Sequence, residues 1–153
     1  MKSFLAICGA AACLVPLAAH AQGVGFQAGA AIDPGQIYVG SHVEFPVGSN
    51  QFVIRPAIDG GFGGGWRTAA IRGDFIYRVN VGASGWRIRQ GLGPTVNIAR
   101  SEDLDITDVS TNWNYVMGVD NENGFFMEFR GGRAQGARAP LLWIGVGITI
   151  RPE

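Results

Sequence analysis

The chain has 153 residues, which is enough for one domain. Its 12 lysines and arginines balance 12 acidic residues, and this balance argues against nucleic acid as a partner. Both cysteines, Cys8 and Cys13, lie in an N-terminal apolar run, so the rest of the chain has neither a disulfide nor thiol chemistry.

The first 21 residues have the pattern of a secretory signal peptide. Lys2 precedes an apolar run from Phe4 to Ala19, and Ala19-His20-Ala21 matches a small-x-small cleavage site. The run is shorter than the roughly 20 residues that a membrane-spanning helix needs. We therefore expect export across the inner membrane, cleavage after Ala21, and a mature domain over residues 22–153.

Eight segments of alternating polar and apolar residues follow, separated by breakers such as Pro34-Gly35 and Gly63-Gly64-Gly65. Most of them reach the roughly 9–11 residues that a tilted strand needs to cross a bilayer. The pattern predicts an all-β fold with eight antiparallel strands in up-and-down order. The predicted strands are Val24–Asp33, Gln36–Phe45, Gln51–Phe62, Trp66–Asn80, Gly85–Arg100, Asn112–Asp120, Gly124–Gly132 and Leu141–Arg151.

Two prolines conflict with this assignment. Pro56 and Pro94 fall inside predicted strands, where each removes a ladder hydrogen bond. A closed barrel has no edge strand to hold them, so we expect β-bulges or local bends at both positions.

Alternation gives each strand one apolar face and one polar face, because successive side chains point to opposite sides of a sheet. In the fourth strand, for example, Ile71 and Phe75 alternate with Arg72 and Asp74. The polar face carries a set of opposite charges that could pair inside a barrel. They are Glu44, Arg55, Asp59, Arg72, Asp74, Arg78, Arg87, Arg89, Glu128 and Arg130.

Alternation alone does not decide whether the apolar face points inward, as in a soluble barrel, or outward, as in a membrane barrel. Two further features favour the membrane barrel. The longer predicted connections, Ser101–Thr111 and Gly131–Pro140, lie at one end of the sheet, as outer loops do in outer-membrane barrels. Six aromatic residues of the apolar face collect at the opposite end and predict an interfacial girdle. These are Phe26, Phe45, Phe52, Tyr77, Trp86 and Phe125.

With these features the chain resembles the small outer-membrane β-barrel family, the OmpA/OmpX-like group. The last segment, LLWIGVGITI, is similar to the family's C-terminal assembly signal through Gly145, Ile148 and Ile150. It departs at Trp143, where a polar residue is usual, and the chain ends on Arg151-Pro152-Glu153 instead of an aromatic residue. The resemblance implies the outer membrane as location, with lipid including lipopolysaccharide and the barrel assembly machinery as partners.

The residues do not assemble into a catalytic or metal-binding set. Ser41 and His42 are adjacent in a strand and therefore point to opposite faces, so we expect His42 to bond Glu44 or another lumen group. The acidic residues of Ser101–Thr111 lack the spacing of an EF-hand and predict a solvated loop. Arg133 and Arg138 in the other loop could pair with those acids or with lipopolysaccharide phosphates. We expect no enzyme activity, no cofactor and no metal.

Three functions remain open at this point. The first is a non-enzymatic outer-membrane barrel with a charge-filled lumen and a structural or surface-interaction role, in which the two long loops could bind a surface ligand. The second is a narrow ion or small-solute channel through the lumen. The third is a soluble periplasmic barrel that binds a ligand inside, and it requires Phe75, Leu92 and Ile144 to point inward.

Overall fold

Alternating side chains and glycine turns produce a closed β-barrel. The computed structural model describes residues 23–33, 35–101, 103, 106–132 and 140–151, so the predicted signal peptide lies outside the described residues. Within these ranges the strands are β1 (Gly23–Ile32), β2 (Gln36–Val47), β3 (Ser49–Gly63), β4 (Trp66–Asn80), β5 (Trp86–Ser101), β6 (Thr107–Asn121), β7 (Phe125–Gly131) and β8 (Leu142–Ile150). None of the described residues forms a helix long and apolar enough to cross a membrane.

Each strand pairs antiparallel with the next in the chain, and β8 pairs with β1 to close the barrel. The predicted eight-stranded antiparallel up-and-down fold is confirmed. We call the end where β1 begins and β8 finishes the terminal end; its turns are Gly48, residues 81–85 and residues 122–124. The opposite, loop end has its turns at residues 33–35, 64–65, 102–106 and 132–141.

The sixth strand begins earlier than the sequence predicted. Residues 107–111 were expected in a long loop, but they continue β6 and pair with β5 from Arg100↔Thr107 to Val96↔Thr111. The remaining connection, residues 102–106, is no longer than the 81–85 turn at the terminal end. The prediction of two long loops at one end is therefore wrong for Ser101–Thr111. The connection at residues 132–141 remains the longer one.

Of the bulges or local bends predicted at the two prolines, the bulges are wrong. The register of β2 with β3 is the same on both sides of Pro56, as His42↔Ala57 and Phe45↔Ile54 show. The register of β4 with β5 is likewise unchanged across Pro94. Because proline has no N–H, the ladder is interrupted beside each proline without inserting a residue. The register shift in β2–β3 falls instead between Pro46 and Val47.

Burial is inverted relative to a soluble protein. The charged parity of the strands faces the interior and is buried, whereas the apolar parity faces outward along β1–β8. Phe75, Leu92 and Ile144 are 55%, 51% and 38% exposed, which is opposite to what the soluble ligand-binding barrel requires.

Candidate functional site

The middle of the lumen is occupied by two carboxylates that share four arginines. Arg130 donates from Nη1 and Nη2 to both oxygens of Asp74 at 2.8 and 2.9 Å, and from Nη2 to Glu128 at 3.0 Å. Arg55 Nη2 donates to Asp74 at 3.1 Å and to Glu128 at 2.9 Å. Arg72 and Arg89 approach the same carboxylates at 3.7 and 3.6 Å. We call this set the mid-barrel cluster: Arg55, Arg72, Asp74, Arg89, Glu128 and Arg130.

A second group, the terminal-end cluster, lies in the lumen near the start of β1 and the end of β8. It consists of Glu44, Arg78, Arg87, Asp120 and Arg151. Arg78 binds Glu44 and lies 3.0 Å from Asp120, and Arg87 donates to both oxygens of Asp120 at 2.9 and 3.2 Å. Arg151 reaches Glu44 at 3.3 Å. Among the described residues, the ion pairs of the lumen join seven arginines to five carboxylates, so four of those acids each serve two or more arginines.

The ten charged residues predicted to lie in the lumen all point inward. Eight are buried, and Asp59 and Arg87 are half-buried. Asp59 binds Arg72 and accepts a hydrogen bond from Gln27 Nε2 at 2.6 Å. Asp120 was missing from the predicted set, although its parity along β6 matches that of the inward Asn114.

Phe126 was also missed, and it is a central part of the lumen. Its ring is fully buried, with the guanidinium carbons of Arg89 and Arg55 at 4.8 and 5.9 Å from the ring centroid. The His42 ring meets it edge-on at 5.4 Å. Phe126 shares the parity of Glu128 and Arg130, so alternation placed it inward, but an aromatic residue among charges gave no compositional signal. A cation–π arrangement of this kind stabilises a buried guanidinium that has few carboxylate partners.

His42 lies against Thr149 in the interior. The two atoms His42 Nε2 and Thr149 Oγ1 are 3.0 Å apart, and Glu44 is 4.0 Å from the same nitrogen. The expectation that His42 bonds a lumen group is confirmed. Thr149 and the edge contact with Phe126 thus hold the His42 ring in the wall of the lumen.

In the loop-end half of the lumen, the β5–β6 wall between Thr95 and Asn112 is lined by hydroxyl and amide groups. Asn97 Nδ2 donates to Asn112 at 2.9 Å, Asn112 Nδ2 donates to Asn114 at 2.7 Å, and Asn114 Nδ2 donates to Thr95 Oγ1 at 2.7 Å. Beside this amide chain is a cavity of about 10 Å³ lined by Tyr38, Asp59, Arg72, Trp143 and neighbours. A cavity of that size holds about one water molecule.

The six residues predicted to form an aromatic girdle all lie on the outward face. Phe52 and Tyr77 are cross-strand neighbours with ring centroids 4.8 Å apart, and the Trp86 and Phe125 rings meet edge-on at 6.5 Å. The polar residue Gln90 also faces outward, where it accepts a hydrogen bond from the Tyr115 hydroxyl at 3.3 Å. All six predicted girdle residues lie near the terminal end of the barrel.

Within the described residues, no group of three or more His, Cys, Asp or Glu side chains is arranged to hold a metal ion. Glu102 and Asp105 of the acidic connection lie outside the described residues, as do Arg133 and Arg138 of the longer one.

The fold was compared with known proteins. No family model and no curated protein matches the chain. Among solved structures, Neisserial surface protein A (NspA) is similar with a TM-score of 0.67 and 10% identity over 85% of this chain and 95% of that one. The N-terminal β-barrel domain of Pseudomonas aeruginosa OprF is similar with a TM-score of 0.58 and 14% identity over 85% and 98%. The predicted resemblance to small outer-membrane barrels is confirmed at the level of the fold.

Proposed function

We propose that this chain is a non-enzymatic integral outer-membrane β-barrel protein with a charge-filled lumen and a structural or surface-interaction role. The observation that carries the proposal is the inverted burial of the barrel. Large apolar side chains are exposed on all eight strands, whereas most charged groups of the inward face are buried and form ion pairs. Soluble monomers rarely expose contiguous apolar patches beyond a few hundred Å².

The partners follow from the two surfaces. The outward apolar band contacts lipid, including lipopolysaccharide where the loop end meets the outer leaflet. The β8 strand, which closes the barrel against β1, is the segment that the assembly machinery would recognise through Gly145, Ile148 and Ile150. A surface ligand would bind at the loop end, mainly through residues 131–140, because the shorter connection at 102–106 offers little chain for recognition.

The channel alternative has weaker support. An eight-stranded barrel is just wide enough for side chains to fill its interior. Here the two clusters and Phe126 occupy the lumen in series, and the cavity beside Arg72 has a volume of about 10 Å³. A dense network of paired charges stabilises the barrel from inside and leaves little space for a conducting path.

A substitution pair separates a lipid-facing surface from a water-facing one. Leu92 and Val81 are similarly exposed, at 51% and 44%, but Leu92 lies in the middle of β5 and Val81 in the turn at the terminal end. An arginine at the bilayer midplane costs about 2–4 kcal/mol, and near the interface about 0–1 kcal/mol. We expect Leu92→Arg to lower the free energy of unfolding in lipid vesicles by that larger amount, and Val81→Arg to change it little.

The measurement is urea unfolding of each variant in vesicles, followed by gel mobility of boiled and unboiled samples. A membrane barrel folds only with lipid or detergent and migrates differently until boiled. Equal, small effects of the two substitutions would contradict the proposal, since substitutions on a water-exposed surface change stability by no more than about 0.5 kcal/mol. A barrel that folds in plain buffer would contradict it as well.

A further inference from the structure

One row of outward-facing residues at the loop end differs from the apolar surface below it. The row crosses five strands through the register pairs Ile37↔Phe62, Phe62↔Arg67, Arg67↔Arg100 and Arg100↔Thr107. Apart from these two arginines, the outward positions of β4 and β5 from Ala69 to Val79 and from Ile88 to Ile98 carry no charge. The barrel therefore presents two cations side by side at the upper margin of its apolar band.

Directly opposite residues of an antiparallel pair have Cβ atoms about 4.5–5.5 Å apart, and like charges in that arrangement destabilise a sheet. An anion shared by the two guanidinium groups removes this penalty. Arg67 and Arg100 each have other interactions too. A guanidinium has five N–H donors, however, and a bidentate carboxylate uses only two of them.

The next outward row toward the terminal end is apolar and contains two small residues. Val39, Gly60, Ala69, Ile98 and Val109 follow one another through their register pairs. No described atom lies within 4 Å of a Cβ built at Gly60. Beyond Phe62, an open apolar groove runs along Ala30 and Ile37. Gly60 and Ala69 thus form a shallow depression next to Phe62 and Arg67, bordered by the bulkier Val39 and by Ile98, which lies next to Arg100.

We propose that Arg67 and Arg100 form a binding site for a phosphate group of lipid A, whose acyl chains lie along the depression at Gly60 and Ala69. This site rests on the proposed function, which places the loop end in the outer leaflet. A phosphate monoester carries close to two negative charges at neutral pH and three acceptor oxygens. It can therefore bridge two arginine forks, whereas the diester phosphate of a phospholipid carries one charge and fewer free oxygens.

The test compares lipids and variants by native mass spectrometry of the full chain, expressed and purified in detergent micelles. The probes are lipid A with both phosphates, lipid A without phosphate, and phosphatidylglycerol, each titrated with a chelator present to exclude bridging by divalent cations. The variants are R67Q/R100Q and, as a control in the same row, Thr107→Gln. Because the double substitution removes both cationic partners of the phosphate, we expect R67Q/R100Q to lose about 10-fold or more in affinity for phosphorylated lipid A, equivalent to about 1.4 kcal/mol or more.

In the expected result, Thr107→Gln binds as the wild type does, and removing the phosphates from lipid A weakens wild-type binding as much as R67Q/R100Q does. Equal binding by R67Q/R100Q and the wild type would overturn the site. Equal affinity of the wild type for phosphate-free lipid A or for phosphatidylglycerol would overturn the assignment to a lipid A phosphate. Gel mobility distinguishes a failure of the proposed membrane barrel from a failure of the proposed lipid A site. A wild type without a detergent-dependent, heat-sensitive fold contradicts the membrane barrel itself, whereas a folded barrel with unaltered lipid affinity contradicts only the site.

Discussion

The arginines of the lumen are chemically alike but differ in what holds them. Arg130 makes three hydrogen bonds to Asp74 and Glu128, all at 3.0 Å or less. Arg89 is also fully buried, yet among the described residues its guanidinium has no hydrogen-bond partner and approaches Glu128 only at 3.6 Å. Its main neighbour is the Phe126 ring. Comparing the two residues therefore shows how much a well-paired buried arginine and a poorly paired one each contribute to the free energy of unfolding.

Replacing each of these arginines with methionine tests that difference, because methionine keeps the length of the stem and removes the charge. Arg130→Met leaves Asp74 without its bidentate partner and Glu128 without one of its hydrogen bonds, and we expect it to lower the free energy of unfolding by about 3–5 kcal/mol. Arg89→Met removes a buried charge that forms no hydrogen bond, and we expect a change below about 1 kcal/mol. Urea unfolding in identical micelles measures both. Similar costs for the two variants would show that Arg89 is as well paired as Arg130.

Alternation predicted the inward parity of most charged residues, because a period of two is a local property of a strand. It did not predict which of them bind each other. Asp74 and Arg130 lie 56 positions apart and come together only because the barrel closes. Phe126 was missed for a related reason, since its parity shows that it points inward but not that two arginines pack on its ring. Which lumen residues bind each other depends on the tertiary structure, so it cannot be predicted from the alternation pattern of a single sequence.

Among the strands, the largest error of the sequence prediction concerns β6. Thr107, Val109 and Thr111 point outward and are β-branched, but Asp108 and Ser110 between them gave the segment the composition of a loop. Pairing with β5 overrides that local composition, as β-propensity depends strongly on context. The prolines show the opposite case. A local rule predicted bulges or local bends, whereas the strands kept their register across both prolines and lost only pairs beside them.

Gly147 and Gly73 lie in strands and have ordinary backbone angles, so replacing each with alanine tests how closely its strand is packed. A Cβ at Gly147 of β8 would lie 2.3 Å from the Phe26 carbonyl oxygen and 2.4 Å from Phe126 Cζ, so the β1–β8 seam has no space for it. A Cβ at Gly73 of β4 meets no described atom within 4 Å. We expect Gly147→Ala to destabilise the barrel by about 1–3 kcal/mol through overpacking. Gly73→Ala should be neutral or stabilise it by up to about 1 kcal/mol.

Thermal or urea unfolding of both variants in micelles measures the difference, and the fraction folded on an unboiled gel reports on closure of the barrel. If Gly147→Ala proved as stable as Gly73→Ala, Phe126 would have to occupy another position in the lumen. The comparison thus also tests the placement of the ring that contacts Arg55 and Arg89.

For the molecule as a whole, the lumen contains layers in series. The mid-barrel cluster and the terminal-end cluster share no arginine, and Phe126 contacts the first through Arg55 and Arg89. Such a lumen resists the entry of water at two levels. The outward surface has the opposite design, with apolar side chains over the full circumference and the arginine pair at the loop end. Paired charges inside and apolar side chains outside are the two features on which the proposed outer-membrane function rests.

Two layers in series lead to a specific expectation for conductance. Arg72→Ala opens space beside the small cavity, but the terminal-end cluster remains closed below it; Glu44→Ala loosens that cluster, but Arg55, Phe126 and Arg130 still fill the middle. We therefore expect the wild type and both single variants to produce no discrete current steps in planar bilayers, while a porin inserted under the same conditions does. Gel mobility of the recovered protein verifies that each variant folded. Wild-type steps that either substitution altered would instead assign the charged lumen to ion passage.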